Sequence, residues 1–224
     1  MTDISEPRHG PFHDRTEAGS VLAEYLATYR ERDSIVIGLP RGGVVVAAEV
    51  ARALNAELDI AIVRKVGAPG NPELALGAVG EDGIVVRNGE LLALLGLSEA
   101  AFRRRADAAV AEVRERADRL RPDHDAVPVA GRVVIVVDDG LATGATAAAA
   151  VAIMRARGAA EVIVGVPVGA PDAVARLAAV ADRVVCVDTP RSLGGVGAWY
   201  DDFTAVSEDE VARLLPRRPS TPSG

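Results

Sequence analysis

The sequence predicts an α/β fold built on a doubly wound parallel sheet. Three observations carry this. Short runs of β-branched residues without polar interruption recur along the chain, the clearest being Val133-Val-Ile-Val-Val137, as strands buried on both faces require. Helix-period segments separate them, the arrangement of crossover connections. Hydrophobic residues make up 49% of the chain and aromatics only 3%, so the core is Val, Leu, Ile and Ala, the usual material of a sheet covered by helices.

In order along the chain, residues 1–13 read as a loose arm. Asp14 then opens an amphipathic helix in which Glu17 completes a capping box and Val21, Leu22, Tyr25 and Leu26 share a face. Residues 35–39 read as a strand, Pro40-Arg-Gly-Gly43 as a turn, 44–54 as a helix and 58–63 as the next strand, a unit whose crossover is right-handed. Residues 66–83 turn rich in Gly and Pro and read as a long loop, of the kind that is either functional or disordered inside a compact domain. A short strand follows at 84–87. Ser98 starts a helix to about Leu120, with Phe102, Ala106, Ala109, Val113, Ala117 and Leu120 in one stripe. Arg103-Arg-Arg105 on that helix reads as a solvated face. After the strand 133–137, a helix over 143–157 is stopped by Gly158. A strand at 161–168, a helix at 171–180 and a strand at 184–187 complete the alternation. Residues 189–206 lack periodicity, Ser207-Glu-Asp-Glu210 is a capping box for a last helix, and 216–224 read as a disordered tail. The domain therefore runs over 14–215.

Composition limits the function. A net charge of −7 argues against nucleic acid as the main partner, because backbone phosphates demand a basic surface. The single Cys186 reads as a core residue of a reducing compartment. Residues 1–17 lack the pattern of a signal peptide, and no run is long enough to span a bilayer, so a cytoplasmic protein with no membrane partner is expected.

One segment carries legible chemistry. The strand Val133-Val-Ile-Val-Val137 ends in two adjacent carboxylates, Asp138 and Asp139, followed by Gly140-Leu-Ala-Thr-Gly-Ala-Thr146 and an alanine-rich helix. Open α/β sheets bind ligands at the carboxyl ends of such strands. Backbone N–H groups at the head of the helix, with the Thr143 and Thr146 hydroxyls, favour an anion. The two carboxylates would repel that anion and need hydroxyl donors instead. A sugar phosphate supplies both halves.

This constellation resembles the PRPP-binding motif of the type I phosphoribosyltransferases, in which a hydrophobic strand leads into two acidic residues and a small-residue loop ending in Thr-Gly-x-Thr. The resemblance implies that Asp138 and Asp139 contact the ribose 2′- and 3′-hydroxyls. It implies that Gly140, Ala142, Thr143, Gly144, Ala145 and Thr146 serve the 5′-phosphate. It also implies a Mg²⁺ cofactor held mostly by PRPP oxygens, with Asp138 or Asp139 contacting it directly or through water. Arg41-Gly42-Gly43 stands where the family's pyrophosphate loop belongs: glycine admits close backbone approach and Arg41 forks onto phosphate oxygens. The Gly/Pro-rich stretch after Arg64-Lys65 matches the family's mobile catalytic loop, with Lys65 at its root placed to pair with pyrophosphate. Glu73 inside it is either an acid/base group or a solvated carboxylate. A small hood over the acceptor is expected from residues 189–206, with Trp199 and Tyr200, and from the N-terminal arm, with Phe12 and His13. These aromatics either stack on a planar base or pin the hood to the core.

The family pattern is departed from at two positions. The oxopurine branch has Asp where this chain has Ala142 and Lys where it has Ala145, which argues against hypoxanthine or guanine. The Asp-Asp-Gly-Leu-Ala-Thr-Gly form looks closer to the adenine and uracil branches, without their recognition segments. Over residues 12–215 the chain resembles a group of bacterial predicted phosphoribosyltransferases, through the opening Asp14-Arg-Thr-Glu-Ala-Gly19, the segment Arg64-Lys-Val-Gly-Ala-Pro69 and Val196-Gly-Ala-Trp-Tyr-Asp-Asp-Phe203. The acceptor of that group is unassigned, and homodimers are common among relatives. The expected activity is Mg²⁺-dependent transfer of phosphoribose from PRPP to a nitrogenous acceptor. A non-catalytic PRPP or nucleotide sensor on the same fold is the alternative, and hydrolysis or pyrophosphorolysis of a phosphoribosylated metabolite is a third.

Overall fold

The computed structural model describes residues 2–3, 11–121 and 126–216. The first half runs β1 (Thr2–Asp3), α1 (Arg15–Tyr25), β2 (Ser34–Gly38), α2 (Gly42–Leu54), β3 (Glu57–Ile60), β4 (Val63–Ala68), β5 (Asn71–Gly80) and β6 (Val85–Arg87). Then come α3 (Gly89–Leu94), α4 (Glu99–Leu120), β7 (Val133–Val137), α5 (Ala145–Ala156) and β8 (Glu161–Val168). The chain finishes with α6 (Pro171–Ala178), β9 (Arg183–Asp188) and α7 (Glu208–Leu214).

The main sheet has the order β1-β9-β8-β7-β2-β3, with every pair parallel. Its central strands β2 and β7 are buried along their whole length, as the β-branched runs Ile35–Ile37 and Val133–Val137 require. Helices α1 and α2 close one face, with Leu22 and Val46 in the same core as Val36 and Ile135; α7 packs on α2 and α4, and α4 on the second sheet. Helices α5 and α6 close the other, where Ile153 and Val174 meet Val134 and Val164. The fold is thus the α/β architecture with a parallel central sheet that the strand–helix alternation predicts. From β2 the chain steps outward to β3, and from β7 it steps the opposite way to β8 and β9. The topological switch point falls between β2 and β7, whose carboxyl ends lie side by side through the Gly38–Val137 pair. Ligand crevices form at such points.

The stretch 66–83 corrects the sequence expectation. It is not a long loop: β4, β5 and β6 make a separate antiparallel sheet, with a tight turn at Pro69–Gly70 between the first two strands. Part of the glycine content marks turns, at Gly70 and Gly83, both with positive φ, and part has another physical cause. At Gly77 an added Cβ would run into the Val86 carbonyl, so the strand crossing selects glycine there. Leu76, Ala78 and Val79 are buried, and the sheet packs between α4 and α5. The short helix α3 is likewise absent from the sequence reading, because six residues carry too little periodicity. Its Asn88 cap accepts from Leu91 N–H.

The arm expected to be loose is attached at both of its described parts: Thr2–Asp3 pairs with β9, and Phe12 is buried. The tail from residue 217 onward lies outside the described residues. Among those described, no helix is long and apolar enough to cross a membrane.

A buried ionic cluster joins the two sheets. Arg121, at the end of α4, places Nε 3.3 Å from Asp59 Oδ1 on β3 and Nη2 against Glu81 Oε2 after β5. Asp59 Oδ2 accepts from Val127 N–H at 2.7 Å and Oδ1 from Ile60 N–H at 2.8 Å. Burial raises the Glu81 carboxyl from its ordinary value to about 7, against the pull of Arg121. The folded protein therefore holds a proton on Glu81 that the unfolded chain has released. This contribution to stability is full below about pH 4.5 and is lost as the pH rises through about 7. Glu81→Gln is expected to flatten the dependence of unfolding free energy on pH between 5 and 8, removing a slope worth about 1–3 kcal/mol across the window. Urea titrations at several pH values would show it, and a variant retaining the full slope would assign the titration elsewhere.

Candidate functional site

Two loops meet at the switch point. The one after β7 begins with Asp138 and Asp139, both half-buried. Asp138 Oδ1 accepts from Asp139 N–H at 2.9 Å. Asp139 Oδ2 accepts from Arg15 Nε at 2.8 Å. The two carboxyl groups also share a side-chain hydrogen bond. The loop thus presents two adjacent, interacting carboxyl groups at the switch point. Burial, and next the neighbouring Asp139 carboxylate, push the Asp138 carboxyl well above the ordinary carboxylate range, more than Arg15 pulls it back. A group in that condition gains from hydroxyl donors, which favour the charged form.

The loop continues through Gly140, whose neighbours are Val168 and Val196, and through the buried Leu141. Ala142 and Thr143 are exposed, as is Thr146 within the first turn of α5. Gly144 takes the cap position in a left-handed conformation (φ 71°) and α5 has no side-chain cap. Ala145 N–H makes a long 3.4 Å bond to Thr143 Oγ1. The orphan N–H groups of this twelve-residue helix are therefore available to an anion. Arg176 Nη2 donates to the Thr143 carbonyl at 3.2 Å and steadies the loop from α6.

The second loop, after β2, is pressed against the acid pair. A Cβ added at Gly42 would collide with the Asp139 carboxylate, and one added at Gly43 would lie 2.8 Å from Asp138 Cα. These two glycines let the head of α2 abut Asp138 and Asp139 with backbone alone. Arg41 is exposed just before them, and the Pro40–Arg41 peptide bond is cis. The structure brings together Arg41, Gly42, Gly43, Asp138 and Asp139 at one edge, with the Gly140–Thr146 segment beside them. Lys65 stands apart on β4, opposite Ala78, half-buried in the antiparallel sheet. Glu73 falls within β5, and its side chain lies outside the described parts.

The hood is held by aromatic packing. Phe12 N–H donates to the Trp199 carbonyl, and Asp201 N–H to the Phe12 carbonyl, both at 2.8 Å. The Tyr200 ring lies between Phe12 and Phe203, at centroid distances of 5.7 and 5.0 Å. Its hydroxyl donates to the Asp139 carbonyl at 2.6 Å, and burial pushes the phenol up. Trp199 donates Nε1–H to the Leu193 carbonyl at 3.0 Å and rests on the core. Of the two alternatives for these aromatics, the contacts favour pinning the hood.

Arg15 is the residue that sequence reasoning passed over. Its guanidinium bonds Asp139 through Nε, donates from Nη1 to the Thr204 carbonyl at 2.9 Å, and lies 3.9 Å from the Phe203 ring centroid. It is only 8% exposed. One signal existed. A cation at the first position of a helix opposes the helix dipole, and such local inconsistency marks functional or strained positions.

Comparison with known proteins agrees with this geometry. A family model described as the phosphoribosyl transferase domain matches residues 15–200. Two curated proteins from Mycobacterium tuberculosis strains CDC 1551 and H37Rv are each 48% identical over 206 residues, 92% of this chain. Both carry the name of phosphoribosyl transferase without an assigned function. The chain spans about half the length of these relatives, 46%. The crystal structure of TT1426 from Thermus thermophilus superposes with a TM-score of 0.86 at 47% identity, covering 92% of this chain and 97% of that one.

Proposed function

The chain belongs to the phosphoribosyl transferase domain family, and on that premise we propose that it takes PRPP as donor and transfers phosphoribose to a nitrogenous acceptor, releasing pyrophosphate. The observation that supports this reading best is the adjacent carboxyl pair Asp138 and Asp139 beside the uncapped head of α5. A phosphate and a vicinal diol held a few ångströms apart are what a ribose 5-phosphate presents.

In this reading the 5′-phosphate sits on the backbone N–H groups of 142–146 with the Thr143 and Thr146 hydroxyls. The ribose hydroxyls donate to Asp138 and Asp139. The C1–oxygen bond to pyrophosphate breaks as the acceptor nitrogen closes on C1 from the opposite face, with inversion. Arg41 forks onto the departing pyrophosphate over the Gly42–Gly43 backbone. The catalytic effect comes from holding the donor in place and from stabilising charge on the leaving group. Trp199 and Tyr200 border the acceptor side through the hood.

The donor set suits Mg²⁺ only in company with the substrate. Among the described residues no three His, Cys, Asp or Glu side chains are grouped to hold a metal. Asp138 or Asp139 would supply a carboxylate oxygen directly or through water, with PRPP oxygens completing the shell, a hard-ligand set proper to that ion. Bound there, Mg²⁺ would neutralise charge on the pyrophosphate.

The test is incubation of the protein with PRPP, Mg²⁺ and a panel of nitrogenous bases, measuring pyrophosphate. Acceptor-dependent release is expected. Tight PRPP binding with no release across a broad panel would favour the sensor, and absence of PRPP binding would overturn the donor assignment.

A further inference from the structure

We infer that Arg15 is a positioning residue that sets Asp139 for the ribose and makes that setting depend on the docked hood; the inference rests on the donor reading above. Arg15 belongs to α1, remote in sequence from both groups it joins. Its Nε fixes Oδ2 of Asp139 at 2.8 Å, and its Nη1 takes the Thr204 carbonyl at 2.9 Å. The planar fork spans these two acceptors in one rigid geometry, which a lysine ammonium cannot reproduce. The Phe203 ring covers one face of the guanidinium, with its centroid 3.9 Å from the guanidinium carbon.

Asp139 is held at its other end by the same hood. Tyr200 donates its hydroxyl to the Asp139 carbonyl at 2.6 Å, so backbone and side chain of this acid are gripped from residues 200–204 and α1 together. With Oδ2 tied to Arg15, and the Gly42 backbone against it, the rotamer of Asp139 is determined. A hydroxyl on the ligand then meets an acceptor that needs no reorganisation. Withdrawal of the hood would remove the Thr204 acceptor and the Phe203 cover from Arg15 and free Asp139 to turn.

The experiment compares two ligands that share the edge but differ in hydroxyls. Affinities for ribose 5-phosphate and for inorganic pyrophosphate are measured in the unmodified protein and in Arg15→Gln, Arg15→Lys, Asp139→Asn and the Arg15→Gln/Asp139→Asn double variant, each checked for an intact thermal transition. Arg15→Gln should weaken ribose 5-phosphate about tenfold and leave pyrophosphate within about twofold, as loss of one charge-assisted contact geometry implies. Arg15→Lys should recover part of the loss. The double variant should lose no more than Asp139→Asn alone, since both changes act through one carboxylate. Equal losses on both ligands, additive losses, or no loss with Arg15→Gln would overturn the inference while leaving the donor reading intact. Failure of the unmodified protein to bind ribose 5-phosphate or PRPP would overturn both.

Discussion

Replacing Asp138 and Asp139 together by Asn is expected to weaken PRPP binding at least about a hundredfold, from two hydroxyl–carboxylate hydrogen bonds at about 1.5–3 kcal/mol each. The carboxamides keep the volume and an acceptor oxygen at each position and remove the charge. Calorimetric titration with PRPP and Mg²⁺ measures the loss directly. The two single variants should differ in stability. Asp138→Asn removes a desolvated carboxyl whose proton affinity is already well raised, so it should hold or increase Tm. Asp139→Asn leaves the buried Arg15 without its carboxylate and should lower it. Unchanged PRPP affinity in the double variant would show that this edge is not the ribose site.

The second large effect is on stability alone. Arg121→Met should destabilise the fold by about 3–5 kcal/mol, because it strands Asp59 and Glu81 in the interior with no cation between them. For a chain of this size that corresponds to a Tm lower by about 6–20 °C. The damage should depend on pH. Glu81 takes up a proton readily, so the variant should recover part of its deficit as the pH falls from 8 to 5. A Tm loss under about 2 °C at pH 8 would mean that the ion pairs are replaced by water at no cost.

How much of the molecule was legible follows from how local each signal is. The strands β2, β7, β8 and β9 announce themselves through runs such as Val133–Val137, whose burial on both faces allows no polar alternation. The long helix α4 shows its stripe of Phe102, Ala106, Ala109 and Val113. The helix caps Asp14, Ser98 and Ser207 accept the N–H groups that their spacing predicts. The stretch 66–83 misleads because glycine has two uses. The sequence cannot distinguish a residue chosen for freedom from one chosen, like Gly77, because a neighbouring carbonyl leaves no room for Cβ.

By itself the sequence determined the parallel α/β architecture, the family, and the strand–acid–loop–helix segment 133–146, all of which are written in consecutive residues whose order is their geometry. The tertiary structure alone decided what grips that segment. Arg15 reaches Asp139 across 124 positions and Thr204 across 189, and Tyr200 reaches Asp139 across 61. Gly42 and Gly43 reveal their purpose only once β2 lies beside β7. Such contacts arise from the order in which strands are laid into the sheet, and hydrophobic periodicity carries no record of that order beyond the nearest turn or two.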